Sequence, residues 1–204
     1  RLVLCNPDGT RLITGATDGV DRIWDVASSK QLFSIVVTHT TVVDLFTFSV
    51  AISPDGKLLA TTNAHDGFVK LWDFASGTEL FTIKSPDWLA VAPGVDLSPA
   101  GLAFSPDGHL AISLVGFWEG PGRVELWDIV AHRRVQTLNT EFDAYTPPNF
   151  SPDGTRLVAR DGVSGDVWDV ASGKLLFTVH DRNVNSIRYS VDGTRLLVAG
   201  GGGV

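Results

Sequence analysis

Repetition constrains this chain more than any other feature. The turn Ser151-Pro152-Asp153-Gly154 is followed by Trp168-Asp169-Val170-Ala171-Ser172-Gly173-Lys174, and both halves recur. Trp24-Asp25, Trp72-Asp73 and Trp127-Asp128 repeat the second half. Asn6-Pro7-Asp8-Gly9, Ser53-Pro54-Asp55-Gly56, Ser105-Pro106-Asp107-Gly108 and Ser190-Val191-Asp192-Gly193 repeat the turn. A chain written this way is built from one small supersecondary unit whose open faces are covered by its neighbours.

Each copy reads as four short strands. In Ser-Pro-Asp-Gly the proline pre-sets φ at the second turn position and the glycine accepts the left-handed conformation that closes a hairpin. The Ala-Ser-Gly after Trp-Asp does the same for the next hairpin. The last stretch of each copy, Leu32-Phe33-Ser34-Ile35, Leu80-Phe81-Thr82-Ile83, Val135-Gln136-Thr137-Leu138 and Leu176-Phe177-Thr178-Val179, alternates with the period of two expected of a strand.

The tryptophans of the four Trp-Asp pairs are 48, 55 and 41 residues apart, against about 40–45 for a four-stranded propeller blade. On these motifs the chain resembles the WD-repeat family, in the wording of its prokaryotic arrays. The resemblance runs from end to end. It implies an all-β fold, a β-propeller of four-stranded antiparallel blades, with about four and a half blades at 1–36, 46–84, 101–139, 146–180 and, incomplete, 184–204. A seven-bladed ring needs about 290 residues, so the chain, with no Met and an end at Gly-Gly-Gly-Val204, is expected to be a fragment of such a ring. Unpaired edges and faces at its two ends are expected to favour self-association.

The family's buried hydrogen-bond relay joins Trp in the third strand, Ser or Thr in the second, Asp in the turn between them and a preceding His. A buried indole N–H needs such an acceptor. The resemblance implies Trp24, Thr14 and Asp18 in the first blade, and Trp72, Thr62 and Asp66 in the second, with His39 as a candidate fourth member. Blades three and four carry Pro121 and Gly162 at the Asp position, with Asp161 one residue away. His180 stands where the family places its His for the blade that follows.

Little supports catalysis. There is no G-x-S-x-G, P-loop, H-E-x-x-H or paired-cysteine spacing. His39, His65, His109, His132 and His180 are scattered, Asp55, Asp107 and Asp153 belong to turns, and Cys5 reads as a small core residue. No metal site and no cofactor are expected. A net charge of −7 without a Lys/Arg cluster lacks the footprint of a nucleic-acid binder. No apolar run approaches the length of a spanning helix. A single cysteine suits a reducing compartment, and the expectation is cytoplasmic, with a signal peptide left open.

Two tryptophans stand outside the repeat, Trp88 in the insertion before blade three and Trp118 in a lengthened turn within it. The resemblance implies that these loops open onto one rim, together with those that carry Phe117, Glu119, Phe142, Asp143 and Tyr145. Such residues suit a partner-binding surface, and they equally suit anchoring of long loops on the sheet beneath. The expected function is a non-catalytic protein–protein interaction scaffold or sensor propeller binding a protein or peptide. In similar prokaryotic arrays a signalling ATPase or kinase is often attached to the same parent chain. The alternatives are a propeller enzyme with a site at the channel mouth, and a purely structural array. Inner strands of mostly small and apolar residues count against the enzyme.

Overall fold

The computed structural model describes residues 2–16, 18–37, 48–63, 67–84, 88, 97–116, 122–140, 146–160, 164–180 and 184–200. They contain strands and turns and no helix. Blade one comprises β1 (Leu2–Cys5), β2 (Arg11–Gly15), β3 (Val20–Asp25) and β4 (Lys30–Val36). Blade two comprises β5 (Phe48–Ile52), β6 (Leu58–Asn63), β7 (Phe68–Asp73) and β8 (Glu79–Ile83). Blade three comprises β9 (Leu97–Phe104), β10 (Leu110–Gly116), β11 (Arg123–Asp128) and β12 (Arg133–Asn139). Blade four comprises β13 (Asn149–Phe150), β14 (Arg156–Arg160), β15 (Ser164–Asp169) and β16 (Leu175–His180). A last pair, β17 (Val184–Tyr189) and β18 (Leu196–Gly200), follows. Strands pair antiparallel in sequence order within each sheet.

The Ser-Pro-Asp-Gly turns close by a repeated set of bonds. In the second blade Ser53 Oγ donates to Asp55 Oδ1 at 2.6 Å and accepts from the Leu58 N–H at 2.9 Å. Ser151 and Ser190 repeat both bonds in their own turns. Gly154 takes φ of 71°, where an L-residue would be strained. In blade one Asn6 replaces the serine, and its Oδ1 accepts from the Arg11 N–H at 2.8 Å.

Two inner strands depart from expectation. β9 begins at Leu97, because its pairing with β10 continues past a bulge at Ser113/Leu114 as far as Gly116. Residues 97–99 therefore belong to a strand, not to the insertion. β13 has two residues, since Pro147 and Pro148 ahead of it cannot donate to a ladder.

Every complete blade carries a β-bulge at its repeat tryptophan, with register shifts at Ile23/Trp24, Leu71/Trp72, Leu126/Trp127 and Val167/Trp168. The extra residue on the outer strand is aliphatic each time, Leu32, Leu80, Val135 and Leu176, and each is partly exposed. A bulge sharpens the local twist.

Successive sheets stack through opposite faces. Ile13, Ile23 and Ile35 of blade one cover Leu59, Val50 and Trp72 of blade two. The other face of blade two, with Ala60, Val69 and Leu71, packs on Leu110 and Ile112 of blade three. Ala111, Val124 and Leu138 then meet Leu157, Ala159 and Trp168, and Val158 and Val167 meet Val184 and Ile187. Each fully buried Leu- or Ile-sized side chain contributes about 1.5–3 kcal/mol, so the stacking of sheets is the main cohesive term.

Polar bonds fix the angle between neighbours. In blades two, three and four the residue three beyond the buried leucine of the second strand donates to a backbone carbonyl of the sheet that follows. Thr62 Oγ1 reaches Pro99 O at 3.4 Å, Ser113 Oγ reaches Thr146 O at 3.1 Å, and Arg160 Nη1 reaches Val184 O at 2.5 Å. Asn149 Oδ1 also accepts from the Tyr189 N–H at 3.0 Å.

Candidate functional site

The repeat tryptophans are structural, and three of them show how. Trp24 Nε1 donates to Thr14 Oγ1 at 2.9 Å, the pair expected from the sequence. Trp72 Nε1 donates to Thr61 Oγ1 at 2.9 Å, which corrects the expectation of Thr62. Leu12 lies opposite Trp24, whereas Leu59 lies opposite Trp72, so the second hairpin holds one more residue between the paired positions. Side chains alternate along a strand, and that extra residue turns Thr62 to the far face, where it makes the inter-blade bond to Pro99 O and also donates to Phe68 O at 3.0 Å.

Blade three has Ile112 at the hydroxyl position, and Trp127 Nε1 donates instead to Glu125 Oε2 at 3.0 Å. Glu125 is 0% exposed. Its Oε1 lies 2.9 Å from Arg123 Nη2 and 2.8 Å from Arg134 Nη1, so the buried charge is compensated from two strands. In blade four Ala159 takes that position, and Trp168 is fully buried in the apolar interface.

The aspartates of the Trp-Asp pairs close the following turns. Asp25, Asp73 and Asp169 accept from the hydroxyl and backbone N–H of Ser28, Ser76 and Ser172. Asp128 accepts from the N–H groups of Val130 and Ala131. These bonds hold all four carboxyls below the usual carboxylate range. The turn aspartates behave alike, and the Ser151 hydroxyl leads the bonds that lower Asp153 to about 2. These groups are anions committed to turns, unsuited to proton transfer near neutral pH.

One cluster among the described residues joins Ser, Asp and His. His109 Nδ1 lies 3.2 Å from Asp107 Oδ1, and Ser105 Oγ donates to the same Asp107 oxygen. A nucleophilic triad needs the serine on the imidazole and the carboxylate on its far nitrogen. Here the serine is bonded to the carboxylate, as in the three turns that have no histidine. Among the described residues no group of three or more His, Cys, Asp and Glu side chains is placed to hold a metal ion.

Asp18 accepts from the Val20 N–H at 3.1 Å and pairs with Arg22 at 2.6 Å. Nearby Asp21, which sequence reasoning missed, is 7% exposed with Oδ2 unpartnered. Burial, and then the Asp18 charge, push its carboxyl up to about 6. Val69 and Val124 hold the equivalent place in blades two and three. Cys5 is exposed, contrary to its reading as a core residue.

The rim candidates divide. Trp88 is 3% exposed and packs edge-on against Trp127, with ring centroids 6.2 Å apart. Its ring is committed to the sheet beneath and has no surface to offer a partner. Phe117, Trp118, Glu119, Phe142, Asp143 and Tyr145, with Asp66 and His39, lie outside the described residues. The segments that carry the aromatics join the end of β10 to β11 and leave the end of β12, which antiparallel pairing puts at the same end of blade three. His180, at the end of β16, is exposed.

Stacked four-stranded antiparallel sheets with repeated Trp-Asp hairpins define the class as β-propeller. The chain carries WD40 repeats: the family described as WD domain, G-beta repeat matches at residues 3–25, 31–73 and 173–204. A search of curated proteins finds no match. Among solved structures, the chain is similar to Kuenenia stuttgartiensis hydrazine synthase, with 23% sequence identity and a TM-score of 0.77. The likeness covers 96% of this chain and 54% of that one, so the chain spans about half of its length. It is one of 1311 matching chains, and at this identity the likeness establishes the fold alone. No helix among the described residues is long and apolar enough to cross a membrane.

Proposed function

We propose that this chain is a non-catalytic binding platform whose rim loops engage a protein or peptide partner. The observation that carries the reading is the wiring of Ser105, Asp107 and His109. Among the described residues, even the constellation that mimics a catalytic set is consumed by turn closure. WD40 repeats generally mediate protein–protein contacts, which supports the reading. The inserted segments with Phe117, Trp118, Phe142 and Tyr145 supply aromatic groups of the kind that dominate binding hot spots. A signalling ATPase or kinase domain on a longer parent chain, and a cytoplasmic location, belong to the same proposal.

The test is affinity capture with the wild-type protein and with Trp118→Ala and Tyr145→Ala, followed by reconstitution with each purified candidate. Loss of a stoichiometric partner from the variants, at unchanged unfolding midpoint, is expected. Equal capture by both would remove this rim from the reading. The named enzyme among similar structures raises a second reading, a propeller enzyme with a site at the channel mouth. A turnover reaction or a stoichiometric bound metal in the purified protein would favour it.

A further inference from the structure

We infer that the cleft on the channel side, between blade four and the last strand pair, binds the carboxylate of an acidic side chain in a peptide ligand. The inference rests on the platform reading and names a partner chemistry for it.

Two prolines make the cleft. Pro147 and Pro148 leave β13 only two residues long. The Pro147 backbone packs on blade three, where a Cβ added to Gly101 would stand 2.6 Å from the proline nitrogen. The chain ahead of β13 is thus drawn towards blade three. A space of about 180 Å³ opens on its other side, lined by Pro147 and Asn149, by Arg160 of β14 and by Ile187 on the edge of β17. Small-molecule pockets run to about 300–1,000 Å³, so this one has the size of a single side chain.

Its walls present donors. The Ser190 N–H bonds to Arg195 O, and bonded and non-bonded pairs alternate along an antiparallel ladder. Tyr189 and Ile187, opposite Leu196 and Val198, therefore turn their N–H groups away from β18. Tyr189 N–H donates to Asn149 Oδ1 at 3.0 Å, which orients that amide and leaves its NH₂ to donate. Ile187 N–H has no partner among the described residues. At the junction of blades two and three the corresponding N–H, that of Leu102, donates to Ser49 Oγ at 3.0 Å. Leu102 and Ile187 both stand three residues before the turn serine of their sheet. Ser49 stands four residues before the turn serine of the preceding blade, and its counterpart in blade four is Pro147, which brings no side-chain oxygen. A ligand oxygen can take the place that Ser49 Oγ fills.

Charge decides which oxygen. Arg160 stands where blades two and three have Thr62 and Ser113, and its Nη1 bond to Val184 O carries the guanidinium across from β14 to β17. At the first junction Gly15 holds that place, so no cation accompanies the inner strand there. Among the described residues no carboxylate lines this cleft, whereas Asp107 and Asp128 stand in the clefts at the outer strands. Convergent N–H donors beside a guanidinium suit a carboxylate.

The test titrates the full chain with N-acetylglutamate α-amide, its glutamine counterpart and inorganic phosphate, while the Ile187 backbone and Asn149 side-chain amide resonances are followed. The glutamate probe is expected to shift both resonances saturably, with a Kd on the order of 1 mM for a ligand of this size. It is expected to bind about tenfold or more tightly than the glutamine probe, because hydrogen bonds to a charged acceptor are the stronger ones. Asn149→Asp keeps an acceptor for Tyr189 N–H and puts a like charge in the cleft, and it is expected to abolish binding in a cooperatively folded protein. Pro147→Ser offers Ile187 an internal oxygen and is expected to weaken binding. No saturable shift, equal binding of the glutamate and glutamine probes, tighter binding of phosphate, or glutamate binding that survives Asn149→Asp would each overturn the inference. None of these results touches the platform reading, which stands or falls on Trp118 and Tyr145.

Discussion

Trp127 donates its indole N–H to Glu125, two residues earlier on the same strand, at 3.0 Å. In the first two blades a threonine on the neighbouring strand does this work. The substitution places a carboxylate inside the stack of sheets, where Arg123 and Arg134 neutralise it.

Removing that carboxylate takes the acceptor from the Trp127 indole and the buried counter-charge from Arg123 and Arg134. Glu125→Ala is expected to lower unfolding free energy by about 3–5 kcal/mol, the range for breaking one partner out of a buried ion pair. Glu125→Gln keeps an acceptor for the indole and should lose less. Urea unfolding measures both, and a loss under about 1 kcal/mol for the alanine variant would show that the charge is not needed for compensation.

Thr61 and Thr62 provide a sharper discrimination. Thr61→Val removes the acceptor of Trp72 and is expected to cost about 1–3 kcal/mol, because a buried N–H is left unpaired. It should also shift the Trp72 indole proton resonance. Thr62→Val removes the bonds to Phe68 O and Pro99 O without touching the indole, and it should leave that resonance in place. The reverse pattern would contradict the register of the second hairpin.

These two threonines also mark where sequence reading stops. The strands, turns and blade count are legible because prolines, glycines and the period of two are local signals. In blade one the Trp24–Thr14 bond is legible too, since its residue offset and its pairing agree, whereas Asp18 pairs with Arg22 and does not join it. In blade two the same offset points to Thr62, because one extra residue in a hairpin is invisible until strands are paired. Glu125 lies in an ordinary polar-apolar alternation, and only the packing of blade two over it reveals complete burial.

Asp21 makes stability depend on pH in a known direction. Its folded-state pKa of about 6 lies above the ordinary carboxylate value, so the folded protein binds this proton more tightly than the unfolded chain. Its stabilising protonation is therefore complete below the ordinary value and is lost as pH rises through 6. Asp21→Val, which copies Val69 and Val124, is expected to stabilise the protein at pH 7.5 by on the order of 2 kcal/mol. The gain should shrink towards pH 4, where the native aspartate is neutral. A gain that is equal at both pH values would show that the aspartate does not titrate in the folded state.

Gly77 and Gly9 separate backbone strain from packing. Both have positive φ, 72° and 73°. A Cβ on Gly9 meets nothing, whereas one on Gly77 meets the Phe33 ring at 2.6 Å. Alanine at Gly9 should cost about 1–2 kcal/mol for the left-handed conformation. Alanine at Gly77 should cost about 1–3 kcal/mol more, as the ring is displaced. Equal losses would mean that Phe33 does not hold the second blade.

The account as a whole holds that the blades are a frame and that the inserted loops carry function. Replacing residues 116–121 with a two-residue Asn-Gly hairpin turn, which keeps the Leu114–Arg123 register of β10 and β11, tests this most directly through unfolding midpoint and partner capture on the same sample. The account predicts an unchanged midpoint and lost capture. Retained capture in a protein that unfolds normally would contradict it.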